Sequence, residues 1–511
     1  MKHTKPKMLV FSHICSPQYV TGAEKLLLFM VRELLPVFAC TLVVPNEGVI
    51  AAGARSLDIP VIVQDIPLVV PLYLALPHLQ EEIAQRQQEP SWQELLALLS
   101  REQPNVILVN TCVHPLPAIA GKALGIPVVW SIMEAIRDTP YRAAAAAVFE
   151  QHADFIVGIS EAALEPLRTP GMIPRTKLVY PSWHQNELQP ESWQEHRVNR
   201  RRQLGIEDHH RLVGYISSSI FEAKGLEHFM QMAVRNAVLH PKAMFLIVGN
   251  PVDQPYFEQC LDIARRLGLM ERFRWLRFEE QVSTVYPAMD LLVVPSMAAE
   301  GFGMTALEGM VFGKATVVYG SGGLAEIGRM TGNADYVIQT GDYDGLAGKV
   351  SSLLSDDVAL QAVGARSARG AHAAFGIAVY RERLRIFIDS LRLEGQTPKV
   401  LKGSGTAIYL FDQGKLRPFR TMEAFLGVGY RPEDVRIVPD AYIASWPIGE
   451  PIGQERPAPR GARLKRRKRG SKRLGKRLGK RRGGTKRRRG RTRTGSGKAS
   501  GGTKKRRRKA S

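Results

Sequence analysis

The stretch "SMAAEGFGMTALEGMVFGKATVVYGSGGLAEI", Ser296 to Ile327, follows the apolar run "DLLVVPS" and places two carboxylates, Glu300 and Glu308, around a Gly-Phe-Gly turn with seven residues between them. "DLLVVPS" reads as a buried strand, "MAAEGFG" as its exit loop and "MTALEGMVF" as a helix ended by Gly313. Leu307, Met310 and Val311 give that helix its apolar stripe, so Glu308 falls on another face. Gly301 and Gly303 carry no Cβ and let the backbone approach a ligand. The first helix amides, around Met304 to Ala306, lack intrahelical partners and suit a phosphate or diphosphate.

Two other readings compete. Gly301 to Ala306 matches the G-x-G-x-x-A dinucleotide fingerprint, but that turn follows its strand directly and belongs to the first βαβ unit of its domain. Here several residues intervene, the motif falls late, and neither glutamate gains a role. The plainer alternative is a solvated carboxylate pair favoured by the helix dipole.

Outward from this stretch the same alternation recurs. "RLVGYIS", "AMFLIVGN", "RFRWLRF", "DLLVVPS" and "ATVVYG" read as strands with helices between them, a doubly wound domain over residues 206–375. Residues 1–200 repeat the pattern with "KMLVFSHI", "ACTLVVP", "IPVIVQ", "NVILVN", "IPVVWSI" and "DFIVGIS". The polar, Arg-rich "PESWQEHRVNRRRQLGIEDHHR" interrupts the two. Residues 376–397 read as a closing helix and linker, residues 398–455 as a small α+β module with a hairpin at Asp412-Gln413-Gly414, and residues 456–511 as a basic tail. Two such domains in tandem leave a cleft at the carboxyl ends of their strands, where open parallel sheets bind ligands.

Composition supports a globular body with a separate appendage. The chain has 511 residues, 44% hydrophobic, and a net charge of +23. From Gly461 to Ser511 there are 26 Lys or Arg and no acidic residue, so the remaining 460 residues carry a net −3. With no aromatic residue and few large apolar ones, that tail cannot bury a core and is expected to be disordered. Its partners would be chosen by charge: an anionic surface or polymer, anionic lipid headgroups through peripheral membrane association, or nucleic acid bound non-specifically. The four scattered cysteines suit a reducing compartment, the short "PLVVPLYLALP" cannot span a bilayer, and no transmembrane segment is expected. A cytoplasmic chain follows, either free or peripheral at the inner membrane or on a surface assembly.

The ordered landmarks "TGAEKLLLFMVREL", "GISEAAL", "EAKGLEHFMQMA", "FLIVGN", "YPAMDLLVVPS", Glu–seven residues–Glu and "YGSGGLAEI" resemble the retaining GT-B-fold glycosyltransferases of family 4, the glycosyl transferases group 1, over residues 7–392. The resemblance implies two Rossmann-like domains facing a cleft and transfer of a sugar from a nucleoside diphosphate sugar to a glycan, lipid or protein acceptor. It implies Glu300 on the donor sugar, Glu308 on the ribose, Gly303, Met304 and Thr305 on the diphosphate, Lys224 of "EAKG" on the leaving group, and Gly22 approaching from the first domain. It implies no cofactor and no metal; the sequence has no Asp-x-Asp and no clustered His. His13, His114 and Glu134, at strand ends, are candidates for the acceptor side, with packed polar residues as the plain alternative. Glu326 reads as a loop or helix-start residue.

The chain also departs from that family. "GYISSSIFEAKG" has serines where an arginine commonly precedes the lysine, the first loop has Thr21-Gly22 in place of a double glycine, and Met133 and Glu134 stand near a common histidine. Two further hypotheses remain at this level: another GT-B enzyme, such as a nucleotide-sugar epimerase or a phosphorylase, and a polyanion- or nucleic-acid-binding protein on a glycosyltransferase-like scaffold.

Overall fold

The computed structural model describes residues 5–18, 20–277, 279, 281–391, 400–412, 415–437, 440–444 and 447–453. Two compact units result, residues 1–397 and 398–511. The basic tail expected over 456–511 lies outside the described residues, as do residues 392–397 of the expected linker and 398–399 of the expected module.

The first unit contains two parallel sheets. One has strands β1 (Lys7–Phe11), β2 (Ala39–Val44), β3 (Val61–Val63), β4 (Val106–Asn110), β5 (Val128–Ile132), β6 (Phe155–Gly158) and β7 (Thr176–Leu178), in the order β3-β2-β1-β4-β5-β6-β7. The other has β8 (Arg211–Ile220), β9 (Ala243–Pro251), β10 (Phe273–Leu276), β11 (Leu291–Val294), β12 (Ala315–Tyr319) and β13 (Val337–Ile338), in the order β10-β9-β8-β11-β12-β13. This is the GT-B arrangement expected from the sequence. β4, β5, β11 and β12 are buried at every position, as Val- and Leu-rich strands covered by helices on both faces must be.

Both sheets wind outward and then restart on the other side, so each has a switch point, between β1 and β4 and between β8 and β11. Loops leaving these strands diverge there and open a crevice. The loops after β8 and β11 are "FEAKG" and "SMAAEGFG", so the topology brings Lys224 and Glu300 to one place.

The Arg-rich interruption is not a loose connector. Trp193–Leu204 is a helix, so the break expected at residue 200 falls inside it. Arg201 is 2% exposed and donates to Ala288 O at 3.0 Å and Asp290 Oδ2 at 3.3 Å, while Arg197 reaches Asp290 Oδ1 at 2.7 Å. These bonds satisfy guanidinium and carboxylate together, which is the condition for burying either. They tie the helix to the second lobe.

The closing helix Ile377–Ser390 returns to the first lobe. Tyr380, Leu384 and Phe387 bury against Leu27, Met30, Val31 and Leu34, and Arg381 Nε donates to Glu33 Oε2 at 2.6 Å. Fully burying side chains of this size is worth about 1.5–3 kcal/mol each. Between the lobes, Phe302, Tyr180 and Phe375 form a three-ring cluster with centroids 5.4–5.9 Å apart.

The second unit, by itself, is a four-stranded sheet of β14 (Val400–Lys402), β15 (Ile408–Asp412), β16 (Lys415–Pro418) and β17 (Val435–Ile437), in the order β16-β15-β14-β17. β15 and β16 pair antiparallel; Gln413 and Gly414, at the expected hairpin turn, lie outside the described residues.

Candidate active site

The Met304–Val311 helix begins at Gly303, whose φ of 108° suits a residue without Cβ and which offers no side-chain cap. Ala306 N donates back to Gly303 O at 3.0 Å. The amides of Met304 and Thr305, both on partly buried residues, are therefore the first-turn donors available to an anion.

Glu300 is fixed from several sides. Its Oε1 accepts from Lys224 Nζ at 2.7 Å and from Ser296 Oγ at 2.7 Å. Its carbonyl accepts from Gly323 N at 2.9 Å, and the residue bridges Gly322 in parallel fashion. Gly322, at φ 59°, is required here because a Cβ would run into the Glu300 backbone. Lys224 ends a short 3-10 turn after β8, held against the β11 loop by the amides of Met297 (2.9 Å) and Ala298 (3.2 Å) on Ala223 O.

Glu308 binds partners from both lobes. Oε1 accepts from Lys25 Nζ at 3.0 Å, and Oε2 from the Tyr286 hydroxyl at 3.0 Å. Tyr286 is fully buried and stacks on Phe312 at 5.1 Å. Lys25 is in the first turn of the Gly22–Leu34 helix, which starts with a capping box: Thr21 Oγ1 accepts from Glu24 N and Glu24 Oε2 accepts from Thr21 N. The carboxylate beside Lys25 raises its pKa above the ordinary lysine value against the opposing effect of burial.

A cavity of about 550 Å³ lies between the lobes and is lined by Gly22, Lys25, Ser217, Ser218, Met304, Thr305 and Glu308 among others. The structure thus brings Gly22, Met304, Thr305 and Glu308 to one cavity, while Glu300, Lys224 and Gly303 are not part of its lining. At 550 Å³ it is the size of a small-molecule site.

The acceptor-side candidates separate. His13 follows β1 and lines a second cavity, of about 400 Å³, with Asn46 and Asp65; burial lowers its pKa to about 4. Glu134 lies at the seam: its Oε1 accepts from Cys112 N at 2.9 Å, and burial raises its pKa to about 7. Gly301 of the other lobe approaches so closely that a Cβ there would run into Met133 O. His114 is 1% exposed, lies edge-on to Phe11, and has its pKa lowered by burial to about 3. It is buried, and neither of its ring nitrogens has a hydrogen-bond partner among the described residues.

Four residues in this region carried no role in the sequence reading. Lys25 was visible, inside the quoted "TGAEKLLLFMVREL", but nothing local connects it to Glu308. Tyr286 and Ser296 sit in the quoted "YPAMDLLVVPS". Glu326 does start a helix, Gly323–Met330, and it also crosses between lobes: its carboxylate accepts from Glu161 N at 2.9 Å, Ala162 N at 2.7 Å and the Tyr180 hydroxyl at 3.1 Å.

Residues 196–369, which contain all of the second-lobe groups above, match the family model of glycosyl transferases group 1. That match covers 174 of the chain's 511 residues. An uncharacterized glycosyltransferase of Methanocaldococcus jannaschii is 30% identical over 32% of this chain and 41% of its own length. The 2-deoxystreptamine N-acetyl-D-glucosaminyltransferase of Streptomyces fradiae is 32% identical over 30% of this chain and 36% of its own. The chain therefore spans well under half the length of the curated relatives it matches. The chain resembles in fold the structure of Anabaena HepE in complex with UDP and glucose, with a TM-score of 0.62, 19% identity, and coverage of 75% of this chain and 100% of the other. WaaG, a glycosyltransferase involved in lipopolysaccharide biosynthesis, superposes with a TM-score of 0.54 at 13% identity, over 75% of this chain and 99% of its own. At these identities the likeness concerns the fold. Among the described residues no helix is long and apolar enough to cross a membrane, and no group of three or more His, Cys, Asp or Glu side chains is placed to hold a metal ion.

Proposed function

We propose that this protein transfers a sugar from a nucleoside diphosphate sugar to an acceptor hydroxyl, with retention at the anomeric carbon. The observation that carries the reading is the pair Glu300 and Glu308. Each carboxylate is held by a lysine, and they flank the open amides of Met304 and Thr305. A diphosphate on those amides would leave Glu308 to accept from vicinal ribose hydroxyls and Glu300 from hydroxyls of the sugar, since each carboxylate accepts at both oxygens. The HepE structure, similar in fold, holds UDP and glucose.

In the transfer step the bond between the anomeric carbon and the diphosphate oxygen breaks, its electron pair staying on the diphosphate. The acceptor oxygen bonds to the same face of that carbon, and its proton passes to the departing phosphate oxygen. In this reading Lys224 offsets the charge that develops on the leaving group; what supports it is the ion pair with Glu300, which holds its ammonium beside the sugar-binding carboxylate. The acceptor enters from the first lobe, with His13 and Glu134 as the candidates beside its path. No cofactor or metal is assigned a role.

The test is binding of UDP-, GDP- and ADP-sugars by ligand-observed NMR to wild type and to Glu308→Ala, followed by product stereochemistry at the anomeric centre. One nucleotide class should bind to wild type and be lost in the variant. Absence of any binding, together with strong polyanion binding that vanishes when residues 461–511 are deleted, would replace this reading with the scaffold hypothesis.

A further inference from the structure

The cavity between the lobes has two cations in its lining, Lys25 and Arg32. Arg32 is on Glu187 at 3.0 Å, two helical turns beyond Lys25. On the second-lobe side, where β8 ends, the lining residues are Ser217 and Ser218, which carry no charge. Lys25 is the one whose ammonium touches the helix with the open amides. Its partner Glu308 is four residues after Met304, which is about 6 Å along the axis. The flexible four-carbon stem of a lysine gives its ammonium reach on that scale.

We infer that Lys25 is a donor-binding residue contributed by the first lobe: it rests on Glu308 in the empty site and moves to the diphosphate when the nucleotide enters. This inference rests on the nucleotide-sugar reading. Ribose hydroxyls donate hydrogen bonds, so they and the ammonium compete for the oxygens of Glu308, and Tyr286 already occupies Oε2. The ligand that displaces the ammonium brings the nearest new negative charge with it. The exchange leaves every charge partnered, and supplies a cation from the first lobe to a cavity whose β8 side is lined by Ser217 and Ser218. Because Lys25 and Glu308 lie on different lobes, the exchange also keeps the seam bridged, through the ligand instead of directly.

The inference separates from a merely structural role by comparing each nucleoside with its diphosphate. Titration calorimetry on the full chain would use uridine and UDP, guanosine and GDP, and adenosine and ADP, with wild type, Lys25→Ala, Lys25→Met and Lys25→Arg. For the base that binds, Lys25→Ala and Lys25→Met should weaken the diphosphate at least about tenfold, as loss of a charge-assisted contact does. The nucleoside should bind as in wild type or more tightly, since its competitor for Glu308 is gone. Lys25→Arg should recover most of the diphosphate affinity, and the gap should narrow with added salt. Equal weakening of nucleoside and diphosphate would overturn the inference, because the lysine would then only shape Glu308. Unchanged diphosphate binding would overturn it as well. If wild type binds none of the three diphosphates, the donor reading fails first and the inference falls with it.

Discussion

The Glu326 carboxylate of the second lobe accepts the backbone amide of Glu161 in the first lobe at 2.9 Å. The adjacent Ala162 amide, at 2.7 Å, and the Tyr180 hydroxyl complete its shell, so one acidic side chain caps a helix of the opposite domain. Glu326→Ala leaves those donors without their acceptor, at a cost on the order of 1–3 kcal/mol. Hydrogen exchange should accelerate over residues 160–164, and the melting temperature should fall. Unchanged exchange there would mean that the remaining cross-lobe contacts, the Tyr180–Phe302–Phe375 cluster and Lys25–Glu308 among them, hold this seam without Glu326.

Lys224→Ala should lower turnover about 10²–10³-fold, the scale on which removing one preorganised charge-stabilising donor acts. Steady-state sugar transfer measures it. A raised KM with kcat unchanged would indicate a lysine that binds ground state and transition state alike.

Gly301→Ala places a Cβ where Met133 O stands, and neither backbone can yield without moving the lobes apart. The variant should fold, since the clash lies at the seam and not in either sheet, yet lose most activity. Small-angle scattering should show a larger radius of gyration than wild type; an unchanged radius with full activity would show that the seam is already open in solution.

Acid sensitivity should come from the buried histidines. His114 titrates near 3 and His13 near 4 in the folded chain, against an ordinary 6.5. Below pH 6.5 the unfolded chain takes up protons that the folded chain refuses, so stability is fully present above 6.5 and is lost as pH falls, by about 1.4 kcal/mol per unit for each group. Glu134, raised to about 7 from 4.5, acts oppositely and costs stability as pH rises through that window. The comparison is therefore made between slopes. His114→Gln should lose less stability than wild type between pH 6.5 and 4.5, measured by urea melts at several pH values. Parallel slopes would place the histidine's proton exchange elsewhere.

The strands and their alternation with helices were legible because buried parallel strands have a local signature: short Val-, Ile- and Leu-rich runs separated by helical periodicity. β7 and β13 were not legible, since "TKL" is no apolar run and "VI" is only two residues, whereas the equally short β3 is all apolar. The Arg-rich helix Trp193–Leu204 was read as an interruption because its burial depends on Asp290, some 90 residues away.

For the site, the strand–loop–helix that carries Glu300, Gly303 and Glu308 was legible locally, because their spacing and the glycine conformation are set within one short segment. Folding was needed for Lys224 to meet Glu300, for Lys25 to meet Glu308, for Glu326 to cross to the other lobe and for His114 to be buried. These outcomes depend on where the two switch points face each other and on what each burial excludes. Contacts between groups 76, 283 and 165 residues apart leave no pattern in either local segment.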